Sequence, residues 1–359
     1  VLPSLDIFTQ GEYFENLRGE TIMKSILTKA VSIFMTVLVL VVLMSGCGGQ
    51  SPAEKKDETT TPKDEPKAAK TEKIRIGLSW FTLSDEHLAK LKDEMSAYLK
   101  EKGMEDQVEL ILLDAGADSA KQNSQIDNLI AQKVDAIVMI PFDREQQVPA
   151  VQAAKKAGIP MIELCASTVA TEDRTTYVGS EDIASGRMLM EELAKQAGGK
   201  GNVVFIHGPT GQNAEVMRHT GAQEVLQKYP DMKVVAEKVA NWQRAEAMAA
   251  VENLIQSGMQ IDVIFAEDDG MALGALQAIE GSGKAGKILI GGIDGIPDAL
   301  NAVKEGKLAA TVFQNAREQG RKALDVALDA ATGKQIEKMY DVPYELIIKE
   351  NVDQYIGAE

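Results

Sequence analysis

IDVIFAEDDGMALGALQAIEGSGKAGKILIGGIDGIPDAL, residues 261–300, decides how the rest of the chain is read. It opens on an apolar run, Ile261 to Ala266, of the length and composition of a strand buried on both faces. Three acids follow: Glu267, Asp268 and Asp269. Met271 to Ile279 is apolar at helical spacing, and Gly281 and Gly283 end that helix. A second apolar run, Lys287 to Ile293, stops at Asp294, and Pro297 opens a further helix in its first turn. The order is strand–acid–helix, twice over. Two parallel strands therefore each deliver an Asp to their carboxyl end, the edge of an open α/β sheet where ligands bind.

The same alternation extends outward in both directions. Strands are expected at 74–79, 108–113, 136–140, 161–164, 177–179, 202–207, 233–239, 262–266, 287–293 and 308–313, with helices between them. Strict βα alternation predicts parallel sheets with helices on both faces. Ten strands exceed what one compact sheet usually holds, so the fold class is α/β with two Rossmann-like lobes.

The 359 residues, 45% hydrophobic, suffice for two cores. A net charge of −16 with no basic face argues against a nucleic-acid partner. Gly281 to Gly286 spells GxGxxG, but it follows a helix and precedes a strand, the reverse of a dinucleotide fingerprint. The three histidines, His87, His207 and His219, show no metal-ligand spacing along the chain, and no nucleophile–base pair stands out. Neither an enzyme, a metal nor a cofactor is expected.

At the amino end, Met23-Lys24 begins a basic region, and Ala30 to Met44 is an apolar run of signal-peptide length. It leads to Leu43-Met44-Ser45-Gly46-Cys47, which resembles the lipobox of bacterial lipoproteins. The resemblance implies a signal peptide over 23–46, lipidation of Cys47 and a cell-membrane, extracytoplasmic location. Residues 1–22 precede that start and read as an extension from a misplaced gene start. Residues 48–72, rich in Lys, Glu, Thr and Pro, lack apolar periodicity and are expected to form a disordered tether reaching roughly 25–30 Å. With Cys47 lipidated, Cys165 has no disulfide partner.

DDGMALGALQA followed by GGIDGIPDAL resembles the sugar-binding proteins of bacterial ABC importers, the ribose and glucose/galactose type, and residues 73–350 follow that family's pattern. The resemblance implies a type I periplasmic binding protein with an interleaved chain and a three-strand hinge. The amino lobe would be 73–180 plus 315–343, and the carboxyl lobe 181–314 plus 344–359. The implied partners are a sugar or polyol ligand and an importer permease, with a chemoreceptor or sensor kinase as the alternative. A monomer is expected. A repressor effector domain shares the fold, but the lipobox and tether occupy the place of its DNA-binding helices.

The resemblance also implies a ligand set. Asp85 matches an Asp of the hexose binders, and it also suits a helix N-cap. His87 stands where those proteins have Phe, adding a polar handle and a charge that varies with pH. Cys165 replaces the Asp of pentose binders and the Asn of hexose binders, and it suits a small buried hydrophobe equally well. Arg218 aligns with the family's ligand arginine; Glu215, one turn back, is the alternative partner for it. Hexose binders carry a His at Gln212 and an Asp at Ala214. Trp242, in Ala240-Asn241-Trp242, would stack on the ligand opposite His87. Asp268 stands where the family usually has Asn, Asp294 matches the family's Asp, and Gln314 matches a Gln of pentose binders. Three carboxylates, Asp85, Asp268 and Asp294, against one Arg imply an amino-substituted sugar or an inositol, or else that one acid is paired elsewhere.

Overall fold

The computed structural model describes residues 73–283 and 286–357. The apolar run at 30–44, the lipobox and the tether lie outside them. Among the described residues, no helix is long and apolar enough to cross a membrane.

The chain alternates as its apolar runs dictate. The first five strands are β1 (Ile74–Trp80), β2 (Val108–Asp114), β3 (Ala136–Ile140), β4 (Met161–Leu164) and β5 (Thr176–Gly179). Between the first four run α1 (Glu86–Glu101), α2 (Ser119–Ala131) and α3 (Val148–Ala157). Next come α4 (Asp182–Gln196), β6 (Lys200–His207), α5 (Asn213–Leu226), β7 (Asp231–Val239), α6 (Arg244–Gln256) and β8 (Val263–Ala266). They are followed by α7 (Asp269–Gly281), β9 (Leu289–Asp294), α8 (Pro297–Lys304), β10 (Ala310–Phe313) and α9 (Ala316–Ala331). Two short strands close the chain, β11 (Met339–Asp341) and β12 (Glu345–Ile347).

These strands form two six-stranded sheets, ordered β11-β5-β4-β3-β1-β2 and β12-β10-β9-β8-β6-β7. Every residue of β3 and β8 is buried, as a strand covered on both faces requires. Pairing is parallel with one exception: β12 runs antiparallel to β10, with Thr311 opposite Ile347. Strict alternation therefore fails at the end of the chain. No helix separates β11 from β12, so the chain leaves one sheet and meets the edge of the other running the opposite way.

Helix crossings set the second lobe's geometry. A Cβ at Gly186 on α4 would stand 2.0 Å from the carbonyl oxygen of Arg218, and one at Gly221 on α5 2.2 Å from that of Ile183. Glycine at both places lets the two backbones touch, which brings the start of α4 against the arginine of α5.

Candidate ligand site between the lobes

A small, largely filled cavity is lined from both lobes at the carboxyl ends of the parallel strands. All eight residues expected at the ligand line it: Asp85, His87, Cys165, Arg218, Trp242, Asp268, Asp294 and Gln314. Phe81, Ile140, Asp182 and Gln212 complete much of its wall. The lobes also meet outside it, where Arg244 of α6 lies 3.2 Å from Glu86 of α1.

The acidic triplet after β8 divides its work three ways. Asp268 caps α7, accepting from the Met271 amide at 2.6 Å, while facing the cavity. Asp269 turns inward instead. Its carboxylate accepts from the amides of Gly295 at 2.7 Å and Ile296 at 3.1 Å, and from the Thr311 hydroxyl at 2.8 Å. It thereby clamps the turn that follows Asp294. Glu267 points away from the cavity and accepts from the Gly208 amide at 2.8 Å. Asp85 repeats the Asp268 pattern on the other lobe, capping α1 through the Leu88 amide at 2.9 Å.

Arg218 is 5% exposed and stands at the centre. Its guanidinium donates to the Glu267 carbonyl, to Gln314 Oε1 at 3.2 Å and to the Tyr344 hydroxyl at 3.4 Å. Asp182 lies 3.5 Å away and Asp294 3.7 Å. The alternative pairing with Glu215 is not made: that carboxylate accepts from the Gly211 amide. Asp182 is the acid that sequence reasoning missed. Tyr344 donates to its Oδ1 at 2.7 Å and Asn213 to its Oδ2 at 2.9 Å.

Trp242 is held by its neighbours. Its indole N–H donates to Gln212 Oε1, and its ring occupies the space above Gly208, where a Cβ would come within 2.0 Å. Cys165 donates to Gln319 Oε1 at 2.9 Å, and Gln319 links onward to Gln314 at 3.4 Å and Ser180 at 3.5 Å. This relay lies where the chain passes between the sheets. Cys165, Trp242 and Asp294 have φ of 60°, 59° and 134°, half of the six positive values among described non-glycine residues. Backbone strain of that kind collects at functional sites.

Burial governs the site's protonation. It raises Asp85 and Asp182, against the opposing pull of Arg218. It raises Asp268 to about 8, helped by the Asp85 charge, and raises Asp294 well above its ordinary value. His87 goes the other way, to about 3, through burial and then the Arg218 charge. The variable charge expected of His87 is therefore absent: the ring is neutral across ordinary pH, a polar surface rather than a switch.

A raised carboxyl pKa has a stability consequence of definite sign. Between pH 4 and about 8 the folded state holds the Asp268 proton that the unfolded chain has lost, so stability falls as pH rises through that window. Asparagine keeps the helix cap and cannot ionise. Asp268→Asn should raise the thermal midpoint of the ligand-free protein at pH 8 by several degrees and leave it little changed near pH 4. Equal midpoints at pH 8 would remove the buried-acid reading.

Residues 76–335 match the family model of the periplasmic binding protein domain. The chain is 39% identical to a xylitol-binding protein of Mycolicibacterium smegmatis over 289 residues, 80% of each chain. It is 33% identical to the ribose import binding protein of Bacillus subtilis over 318 residues, 89% of this chain and 98% of that one. Its fold matches an ABC transporter solute-binding protein of Bacillus halodurans with bound myo-inositol, with a TM-score of 0.76 and 38% identity, covering 80% of this chain and 98% of that one. Two parallel-sheet lobes, a cavity between them and a match over most of the described residues lead to one conclusion: the chain belongs to the periplasmic binding protein family, in its type I form.

Proposed function

We propose that this protein captures a sugar or polyol between its lobes and hands it to the permease of an ABC importer. It acts as a binding protein and not as an enzyme. The observation that carries the reading is the cavity itself: neutral His87, Trp242 and Phe81 offer ring surfaces, while Arg218 and four carboxylates offer hydrogen bonds. Rings for C–H faces and charged groups for hydroxyls are what a polyhydroxylated ligand requires. The lobes are taken as 73–180 plus 315–343 and 181–314 plus 344–359, with the Cys165–Gln319–Gln314 relay at their crossing. The relatives that bind xylitol and myo-inositol favour a polyol or cyclitol over a simple pentose. Delivery to a chemoreceptor or sensor kinase is the second reading, since capture between the lobes would serve it equally.

The test is a calorimetric screen of polyols, inositols, aldoses and amino sugars, followed by fluorescence. The chain has two tryptophans, and Trp80 is fully buried with its N–H on the Leu88 carbonyl. A ligand-dependent signal should come from Trp242 and vanish in Trp242→Phe. A signal that survives would move the ring contact elsewhere, and the absence of any ligand in the screen would count against sugar capture altogether.

Asp268→Asn then separates ligand classes. A neutral polyol keeps an acceptor and gains a donor, so its affinity should change little. A cationic amino sugar loses an ion pair, and its affinity should fall tenfold or more.

The lipobox supports attachment to the outer face of the cell membrane through Cys47. Labelled palmitate should enter the wild-type protein and not Cys47→Ser. Incorporation into both would reject the anchor.

A further inference from the structure

Behind the cavity wall, the second lobe holds a cluster of side chains that ligand capture does not use. His207 ends β6, His219 lies on α5 and Glu267 follows β8. One donor atom from each lies within 4.8 Å of the others. Their positions along the chain carry no metal signal; parallel pairing of β6 with β8 and the packing of α5 bring them together. The His207 and His219 ring centroids are 4.8 Å apart at 61°, so the rings meet at an edge rather than stacking. Glu215 stands one helical turn before His219, and its Oε1 is 4.0 Å from His207 Nδ1.

Hydrogen bonding inside the cluster is incomplete in an informative way. His207 Nδ1 lies 2.9 Å from Glu267 Oε1, and its other nitrogen is held by Glu237 at 3.0 Å. A doubly paired imidazolium would account for those two contacts. It does not account for His219 Nδ1, which is buried without a hydrogen-bond partner among the described residues. Buried polar atoms are nearly always satisfied. The other His219 nitrogen lies 3.4 Å from the Gln223 amide. His207 thus has Nε2 on Glu237 outside the cluster and Nδ1 turned inward to Glu267, while His219 has one nitrogen near Gln223 and the other buried without a partner among the described residues. That is the arrangement of metal-binding histidines, whose second nitrogen is fixed by an outer carboxylate or amide.

We propose that His207, His219 and Glu267, with Glu215 as fourth donor, form a binding site for a divalent transition-metal ion of the zinc class. Two imidazoles with carboxylates suit such an ion, and hard cations favour all-oxygen sets. Tetrahedral zinc bonds near 2.1 Å place donors roughly 3.4 Å apart, so side-chain shifts of about half an ångström to one ångström would close the site. Binding would replace the proton on His207 Nδ1 and leave the Glu237 contact in place. The site would also meet the ligand cavity through one residue: the Glu267 carbonyl accepts from Arg218, and the Gly208 amide that binds its carboxylate belongs to the residue beneath Trp242.

The experiment titrates the chelator-treated full-length protein with Zn²⁺ by calorimetry, with Mg²⁺ and Ca²⁺ as controls. Wild type should take up one Zn²⁺ saturably and gain thermal stability, with neither effect from Mg²⁺ or Ca²⁺. His219 is half-buried and outside the ligand cavity, so His219→Ala should keep its metal-free midpoint while losing at least tenfold in Zn²⁺ affinity. Glu237→Gln, which touches no metal, should weaken it about tenfold through His207. No saturable uptake by wild type would overturn the proposal. So would uptake of equal affinity in wild type and His219→Ala, which would mark adventitious surface sites among the acids.

Discussion

Replacing Arg218 with Met should reduce ligand affinity more than 100-fold. Among the described residues, the side chain is the sole cation of the cavity lining, and it faces Asp182, Asp294 and the Gln314 amide at once. A guanidinium fork gives a ligand up to two charged hydrogen bonds of roughly 1.5–3 kcal/mol each, and each 1.4 kcal/mol is tenfold in affinity. The fold should survive, with a pH signature. Without the guanidinium, Asp182 and Asp294 rise further above the unfolded value near 3.8, where burial already holds them. The variant's thermal midpoint should therefore drop increasingly as pH rises from about 4 and recover as pH is lowered again. Circular dichroism at pH 5 and pH 8 checks this. A midpoint lowered equally at both would mean that Arg218 acts through packing alone. Arg218→Lys keeps the charge without the fork; it should restore stability better than it restores affinity.

The second large effect belongs to Asp294. Its carboxylate faces the cavity on a backbone that the Asp269 clamp holds at φ 134°. A hydrogen bond contributes roughly 0.5–1.5 kcal/mol to a neutral carboxyl and roughly 1.5–3 kcal/mol to an ionised one, so Asp294→Ala should weaken ligand binding by roughly 2- to 150-fold, most where the carboxyl is ionised. Arg218 keeps Asp182 as a counter-ion, and burial already disfavours the lost charge, so the unliganded midpoint should hold or rise. A titration matching wild type would mean that the ligand does not touch this carboxylate. A collapse of the fold would make Asp294 structural instead.

How far the sequence could carry these expectations depends on where each residue's partners lie. Asp268 and Asp294 were legible because the information is local: an apolar run ends, an acid follows and a helix begins. The topology then sends both to the same sheet edge without further instruction. Asp85 was legible as a cap for the same reason, and the structure has it both cap and line the cavity. Asp182 was not. In Ser180-Glu181-Asp182 it reads as an ordinary acid in a helix's first turn. Its meeting with Arg218 depends on Gly186 and Gly221, two helix-interior glycines on different helices that only the packed lobe brings together. Those glycines were the available signal, since each weakens its helix and needs a packing reason. Strands β11 and β12 are three residues each and mostly half-exposed or exposed, too short for a periodicity to register. Gln319 reaches Cys165 and Ser180, and Tyr344 reaches Asp182 and Arg218, all distant in sequence. The neutrality of His87 follows from burial beside a cation, which no motif encodes. Cys47 and its lipobox lie outside the described residues, where the chemistry of the motif alone supports the anchor.

The most direct measurement is a crystal structure of the protein grown with the polyol or sugar that binds tightest in the calorimetric screen. One ligand molecule should occupy the cavity between the lobes, with hydroxyl groups within hydrogen-bond distance of Arg218 and Asp294 and a C–H face against Trp242. A cavity filled only by water at saturating ligand, or a ligand bound elsewhere on either lobe, would contradict capture at this site.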